Sequence, residues 1–130
     1  MSGPLILPEF VPDARLSLNG VRRTHWRVLQ RLRNETQWHV REALGSDRGR
    51  ELVAAGPLAH AQLRIEFVFP QHRRRDEDGL AGRCKPILDA LVDGGVLEAD
   101  DSDHLHLQVT ARVERGTRET RLHLTREEGL

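Results

Sequence analysis

The segment from residue 104 to residue 114 alternates apolar and polar side chains without interruption, and it constrains the fold more than any other stretch. Its apolar members are Leu105, Leu107, Val109, Ala111 and Val113. Strict alternation predicts a β-strand with one buried face. Residues 61–69 follow the same pattern and stop at Pro70, and Leu122 and Leu124 supply apolar positions for a further strand. We therefore expect a sheet with one apolar face.

A two-residue turn at Gly116 and Thr117 is expected to join the last two strands as a hairpin. In that register Ala111 lies opposite Leu122, which keeps apolar residues on one face. Residues 4–10 are apolar and contain prolines, which favours a short strand at the edge of the sheet.

Apolar residues at helical spacing predict the remaining elements. Residues 24–44 carry a long amphipathic stripe, which Gly45 ends. The stripe consists of Trp26, Leu29, Leu32, Thr36, Val40, Ala43 and Leu44. A short helix is expected around residues 47–55, and residues 79–92 form a further helical segment that Pro86 kinks or restarts.

This order of elements predicts an α+β fold, in which a small mixed sheet of about four strands has helices packed on one face. A chain of 130 residues fits a single domain over residues 1–130. No apolar run is long enough to cross a membrane, and the N-terminus lacks the pattern of a signal peptide. One cysteine, Cys84, fits a reducing compartment. We expect a cytoplasmic protein without a membrane partner.

The formal net charge is zero, which by itself argues against a nucleic-acid partner. The charges are nevertheless segregated along the chain. Residues 22–41 contain six arginines and one acid, whereas residues 86–103 contain six acids and no Lys or Arg. Guanidinium groups suit contacts with phosphate. The basic segment therefore keeps nucleic acid among the expected partners, although a bias towards arginine codons would give the same composition.

Asp76 and Asp78 stand two residues apart between the strand ending near Phe69 and the following helix. In an extended segment both carboxylates point the same way and form a pair of hard oxygen ligands for Mg²⁺ or Mn²⁺. Asp100 and Asp101 would complete such a site from beyond the helix. The alternative is that Asp78 only caps the helix and the other acids are solvated.

A basic run lies just before these acids. It consists of Arg73, Arg74 and Arg75. Adjacent cations and a divalent metal are what hydrolysis of a phosphodiester requires, because its transition state gathers negative charge on the phosphate. We therefore expect the basic run to bind the DNA backbone and guide it to the acids.

Two further cations, Arg83 and Lys85, lie on the next helix. They would either reach a phosphate oxygen or only flank the apolar face. Lys85 also stands four residues before Asp89, which permits a simple surface ion pair.

The long helix has a second face, opposite its apolar stripe, which combines positive charge with an aromatic ring. At about 100° per residue this face carries Arg27, Arg31, Asn34, Trp38 and Arg41. An indole among guanidinium groups predicts either stacking on an unpaired base or burial in a dimer interface.

Three motifs in this order resemble the RusA-like Holliday junction resolvases: R-R-R-D-E-D-G, then K-P-I-L-D-A-L-V-D-G-G-V-L, then D-D-S-D. The upstream segment S-L-N-G-V-R-R-T-H-W-R-V is similar to the family's N-terminal segment that leads into an arginine-rich helix. The resemblance covers most of the chain.

The resemblance implies a homodimeric, Mg²⁺-dependent endonuclease that cuts four-way DNA junctions in recombination and repair, without an organic cofactor. It implies metal binding by Asp76, Asp78 and Asp101, with Asp100 beside them, and a catalytic role for Lys85. Two departures leave alternatives open. The spacing before the D-D pair is one residue longer than the common pattern, which leaves open whether Asp100 or Asp101 is the ligand. The lysine position varies within the family, so Arg83 is an alternative cation.

Gly79 stands where the family has asparagine. The missing side chain removes a capping or supporting contact at the start of the helix. The alternative function is therefore a non-catalytic or weakly active protein of the same fold that binds branched DNA.

Overall fold

The strand predicted from residues 61–69 is an inner strand of a four-stranded sheet. The computed structural model describes residues 3–72 and 79–127. Its strands are β1 (Leu5–Pro8), β2 (Ala61–Phe69), β3 (Leu105–Val113) and β4 (Glu119–Arg126), in the sheet order β1-β4-β2-β3. β2 pairs in parallel with β3 and antiparallel with β4, and β1 is an antiparallel edge strand. The prediction of an α+β fold with a small mixed sheet is confirmed.

The predicted hairpin between the last two strands is wrong, because β2 lies between β3 and β4. The turn itself forms, since the Thr117 N–H donates to the Glu114 carbonyl over 3.0 Å and Gly116 has a φ of +79°. It connects strands on the two sides of β2. In the observed register Ile65 of β2 faces Val109 on one side and Leu122 on the other. The alternating pattern is satisfied equally by either arrangement, because all these residues remain on one face.

Three of the four described helices lie close to the predicted segments, and the first, Leu18–Arg23, was not predicted. The helices are α1 (Leu18–Arg23), α2 (Trp26–Leu44), α3 (Asp47–Ala55) and α4 (Lys85–Asp93), with 3-10 turns at Ala14–Leu16 and Leu80–Arg83. Gly45 ends α2 and Pro86 lies in the first turn of α4, as predicted. A proline is tolerated there because the first N–H groups of a helix have no partner within it. None of the helices in these described ranges is long and apolar enough to cross a membrane.

The long helix begins two residues later than predicted. Thr24 and His25 are extended, and the His25 Nδ1 accepts a hydrogen bond from the Arg27 N–H over 3.1 Å, which caps α2. Trp26, assigned to the apolar stripe from its spacing, is 65% exposed. As the first residue of α2 it lies before the buried stripe, which starts at Leu29.

One main apolar cluster joins the sheet to the helices. Leu63, Ile65 and Phe67 of β2 pack with Val40 of α2 and Ile87 of α4 in this cluster. Burying side chains of this size stabilises the fold by about 1.5–3 kcal/mol each. The helices therefore cover one face of the sheet, and packing in this cluster fixes the position of α4 relative to β2.

The apolar row of β3 is buried only at its start. Leu105 is buried, whereas Leu107 is 40% exposed and Val113 is 51% exposed. The pattern predicted a continuous buried face, and that expectation is wrong for the rest of the strand. β3 is an edge strand, and its apolar side chains beyond Leu105 are only partly covered.

Candidate active site and basic helix face

A cluster of charged groups forms where α4 begins. The Lys85 ammonium donates to Asp100 Oδ2 over 2.6 Å and lies 3.0 Å from Asp89 Oδ1, one helical turn further on. The hydrogen bond to Asp100, followed by the one to Asp89, raises the pKa of Lys85. The predicted surface ion pair between Lys85 and Asp89 is thus present, and the Lys85 ammonium also contacts Asp100. Two of the predicted site residues are therefore in direct contact.

Backbone hydrogen bonds position Asp100 beside α4. The Leu58 N–H donates to the Val96 carbonyl over 2.9 Å, and the Glu98 N–H donates to the Leu58 carbonyl over 3.0 Å. These two bonds form a short parallel bridge between Leu58 and Leu97. The segment leading to Asp100 is consequently tied to the chain that enters β2.

Asp101 has different partners from Asp100. Its Oδ1 accepts a hydrogen bond from His104 Nδ1 over 2.7 Å and from the Asp103 N–H over 3.0 Å. The hydrogen bond with His104 lowers the pKa of Asp101, and the same contact raises the pKa of His104. The His104 ring also stacks on His60, with ring centroids 5.8 Å apart.

His104 is a neighbour of the site that the sequence analysis missed. The signal was present in the sequence, because Asp101 and His104 stand three residues apart in a turn. The adjacent acids of the D-D pair thus differ: Asp100 contacts the lysine, and Asp101 holds its own turn together.

The predicted metal ligands Asp76 and Asp78 lie outside the described residues. Within the described ranges no group of three or more His, Cys, Asp or Glu side chains is arranged to hold a metal ion. The described part of the proposed site consists of Asp100, Asp101 and Lys85.

The basic run that was predicted to bind DNA also lies outside the described residues. Its members are Arg73, Arg74 and Arg75. The described chain stops at His72 and resumes at Gly79, so the run falls in the same gap as the two acids. DNA binding by these three arginines therefore stays a prediction from the sequence.

Gly79 lies at the start of the 3-10 turn before α4. Its φ of +63° is left-handed, and it makes no side-chain cap. A Cβ at this position would overlap the Cβ of Ser17, whose side chain caps α1. Glycine is therefore required here by contact with the N-terminal segment as well as by its backbone conformation.

Arg83, predicted as a DNA-binding cation, is only 2% exposed. Its Nη1 donates to the Pro12 carbonyl over 3.4 Å, and its guanidinium lies 5.9 Å from the centre of the Phe69 ring. Burial argues against direct contact with DNA and leaves Lys85 as the exposed cation of the pair. The neighbouring Cys84 is buried as well, and burial raises the pKa of its thiol to about 12. Cys84 is therefore a core residue.

The second face of α2 is exposed, as predicted. Arg27, Arg31 and Arg41 are exposed, and none of them has an acidic partner within residues 3–72 and 79–127. Several other arginines are paired, as Arg15 is with Asp13 at 2.9 Å. Unpaired guanidinium groups retain their capacity to bind an external anion.

Trp38 lies on this face and is 52% exposed. Its ring meets His39 edge-on, with centroids 5.0 Å apart, and His39 stacks on Phe10 at 3.9 Å. Burial lowers the pKa of His39, so its ring is neutral at pH 7. Trp38 is therefore held by a packed neighbour while much of its ring remains open to solvent.

No protein-family model matches the chain, and no curated protein matches it significantly. The structure itself defines an α+β protein with a lysine–aspartate cluster at the start of α4 and a basic, aromatic face on α2.

Proposed function

We propose that this protein is a Mg²⁺-dependent endonuclease that resolves four-way DNA junctions in recombination and repair, acting as a homodimer. The observation that carries the proposal is the contact between Lys85 and Asp100, which joins a cation and an acid from two motifs of the resolvase resemblance. Mn²⁺ is the second metal to test, because it accepts the same oxygen ligands.

Carboxylates are the donors that Mg²⁺ prefers, so the acids of the motifs fit this ion chemically. Asp76 and Asp78 would hold it together with an acid of the D-D pair. Asp100 is favoured over Asp101, since it is next to Lys85 whereas Asp101 is committed to His104. When bound, the metal would supply an acidified water and charge stabilisation on the phosphate.

Lys85 would stabilise negative charge during cleavage. Its raised pKa keeps the ammonium protonated at neutral pH, and the side chain is exposed at the start of α4. An ammonium can move from Asp100 to a phosphate or leaving oxygen without losing an ionic partner. A donor used in this way stabilises the transition state more than the ground state.

The α2 face would bind the DNA backbone beside the site. Arg27, Arg31 and Arg41 supply unpaired guanidinium groups, and Trp38 supplies an oriented ring for an unstacked base at the branch point. The basic run before Asp76 would guide the phosphate to the acids. Selection of junctions would come from two such sites in a dimer, because one phosphodiester carries no information about branching.

A non-catalytic protein that binds branched DNA is the second candidate, and Gly79 favours it. Contact with Ser17 disfavours the side chain that the family has at this position. This alternative predicts junction binding in EDTA and no cleavage with either Mg²⁺ or Mn²⁺.

The two candidates are separated by cleavage and binding assays on a synthetic four-way junction. We expect Asp78→Asn and Lys85→Met each to lower the cleavage rate by about 100-fold or more while binding in EDTA persists. Asp93→Asn is the matched control, because Asp93 is an exposed acid at the far end of α4. Full activity of either site variant would contradict the proposed roles.

A further inference from the structure

The two edges of the sheet differ in their protection against pairing with another strand. The β1 edge has four residues and ends in Pro8. The β3 edge has nine residues, contains no proline or lysine, and has Arg112 as its only charged residue. Long edges without such protection are ready to pair with another chain.

Hydrogen bonds at the two ends of β3 show which backbone groups face outward. The Ala61 N–H donates to the His104 carbonyl, and the Glu114 N–H donates to the Phe69 carbonyl. In a parallel ladder this places the even-numbered residues of β3 towards β2. Leu107, Val109 and Ala111 therefore point their N–H and C=O groups away from β2, and no further strand of the described chain lies on that side.

We propose that β3 is a homodimer interface, in which two copies pair their β3 strands antiparallel about a two-fold axis at Val109. The two four-stranded sheets would then form one continuous sheet. Homodimerisation is part of the proposed function, whereas the assignment of the dimer interface to β3 rests only on the properties of the β3 edge.

The sequence of β3 is self-complementary in this register. Each Val109 faces its own copy, and Leu107 faces Ala111 of the second copy, so the uncovered apolar side chains meet one another. All of these pairs have outward backbone groups, which are the hydrogen-bonded pairs of an antiparallel ladder. A strand of another protein would have to match this pattern by chance, which favours a second copy as the occupant.

The polar face of β3 also matches under the same two-fold axis. Thr110 Oγ1 is buried and has no hydrogen-bond partner in the described ranges, and it would meet Gln108 of the second copy. Arg112 would face His106, whose Nδ1 lies 2.9 Å from Glu127 Oε2. Arg112 lies 3.5 Å from Glu114 Oε2 of its own copy, and across the axis it would also approach the carboxylate of Glu127.

Charge substitutions at positions 107 and 111 test the register, since both side chains are exposed and face each other only across the axis. Leu107→Lys with Ala111→Lys creates two like-charged pairs, whereas Leu107→Lys with Ala111→Glu creates two opposite pairs. We expect the dimer dissociation constant of the double-lysine variant to exceed that of the charge-swapped variant by roughly tenfold or more. Sedimentation equilibrium over a concentration series measures both, with circular dichroism to establish that each variant is folded.

Hydrogen exchange supplies a second measurement, in which the Val109 amide is protected in the wild-type dimer and exchanges faster in the double-lysine variant. Trp38→Ala should remain dimeric. A wild-type monomer at all concentrations, equal dissociation constants for the two double variants, or a monomeric Trp38→Ala would overturn this interface. Junction cleavage is measured separately, so a failure here is distinguishable from a failure of the proposed activity.

Discussion

Gly79 combines a left-handed backbone with a close neighbour, and the two effects can be separated by mutation. Asparagine tolerates a positive φ better than most residues, so the main cost of Gly79→Asn is overlap with Ser17. We expect a loss of about 1–3 kcal/mol in the free energy of unfolding, as for an overpacked site. Gly116→Asn is the matched control, because Gly116 has a φ of +79° and open space around it. Equal losses in urea unfolding would refute the role of Ser17.

The pair of Asp101 and His104 makes the stability of the acidic turn depend on pH in both directions. The His104 pKa is raised above its ordinary 6.5, so its contribution is complete below that pH and is lost as the pH rises through the folded value. The Asp101 pKa is lowered below 3.8, so its contribution is present above that pH and is lost as the pH falls through the folded value. The pair is therefore fully effective between about pH 4 and 6.5.

NMR titration of the His104 ring in the metal-free protein tests this contact. We expect Asp101→Asn to return the His104 pKa towards 6.5, because the largest cause of its increase is removed. Asp103→Asn should have a smaller effect, since Asp103 acts on His104 only through its charge. An unchanged His104 pKa in Asp101→Asn would show that the hydrogen bond is absent in solution.

Among the elements, the basic face of α2 is expected to make junction binding depend on salt concentration. Arg31→Ala should weaken junction binding and reduce the slope of log affinity against log salt by about one, as expected when one phosphate contact is lost. Arg15→Ala removes the same formal charge from a half-exposed arginine that Asp13 already neutralises. We expect Arg15→Ala to leave the slope unchanged. Equal slopes for the two variants would exclude α2 as the backbone-binding face.

Elements whose signals are local could be predicted from the sequence. Gly45 ends α2 and Pro86 restarts the helix at α4, because both act on the backbone at their own positions. Strand pairing could not be predicted in the same way. The alternation in β3 and β4 states which side chains share a face, and it contains no information on whether β2 lies between them.

The exposure of individual side chains also depended on tertiary position. Trp26 and Leu107 fit apolar patterns but lie beyond the covered part of the core, at the end of a helix and the edge of the sheet. The sequence predicts that Arg83 is a surface cation, but packing against Pro12 and Phe69 buries it. Periodicity assigns a face, whereas burial requires a neighbouring element to cover that face.

Across the whole molecule, a net charge of zero conceals a separation of positive and negative charge. Exposed arginines on α2 have no acidic partner among the described residues, while acids gather around the start of α4 and the turn before β3. The motifs place Lys85 and Asp100 among the predicted site residues, but their shared hydrogen bond, and that between Asp101 and His104, required three-dimensional contacts. Exposed arginines and clustered acids are thus segregated within one small fold.

The most direct test of the proposed function is cleavage of a four-way junction compared with a linear duplex of the same sequence, using the wild-type chain in Mg²⁺. We expect paired cuts at the branch point of the junction, no cuts in the duplex, and loss of cleavage in EDTA with binding retained. Binding of the junction without cleavage in either Mg²⁺ or Mn²⁺, or equal cleavage of junction and duplex, would contradict it.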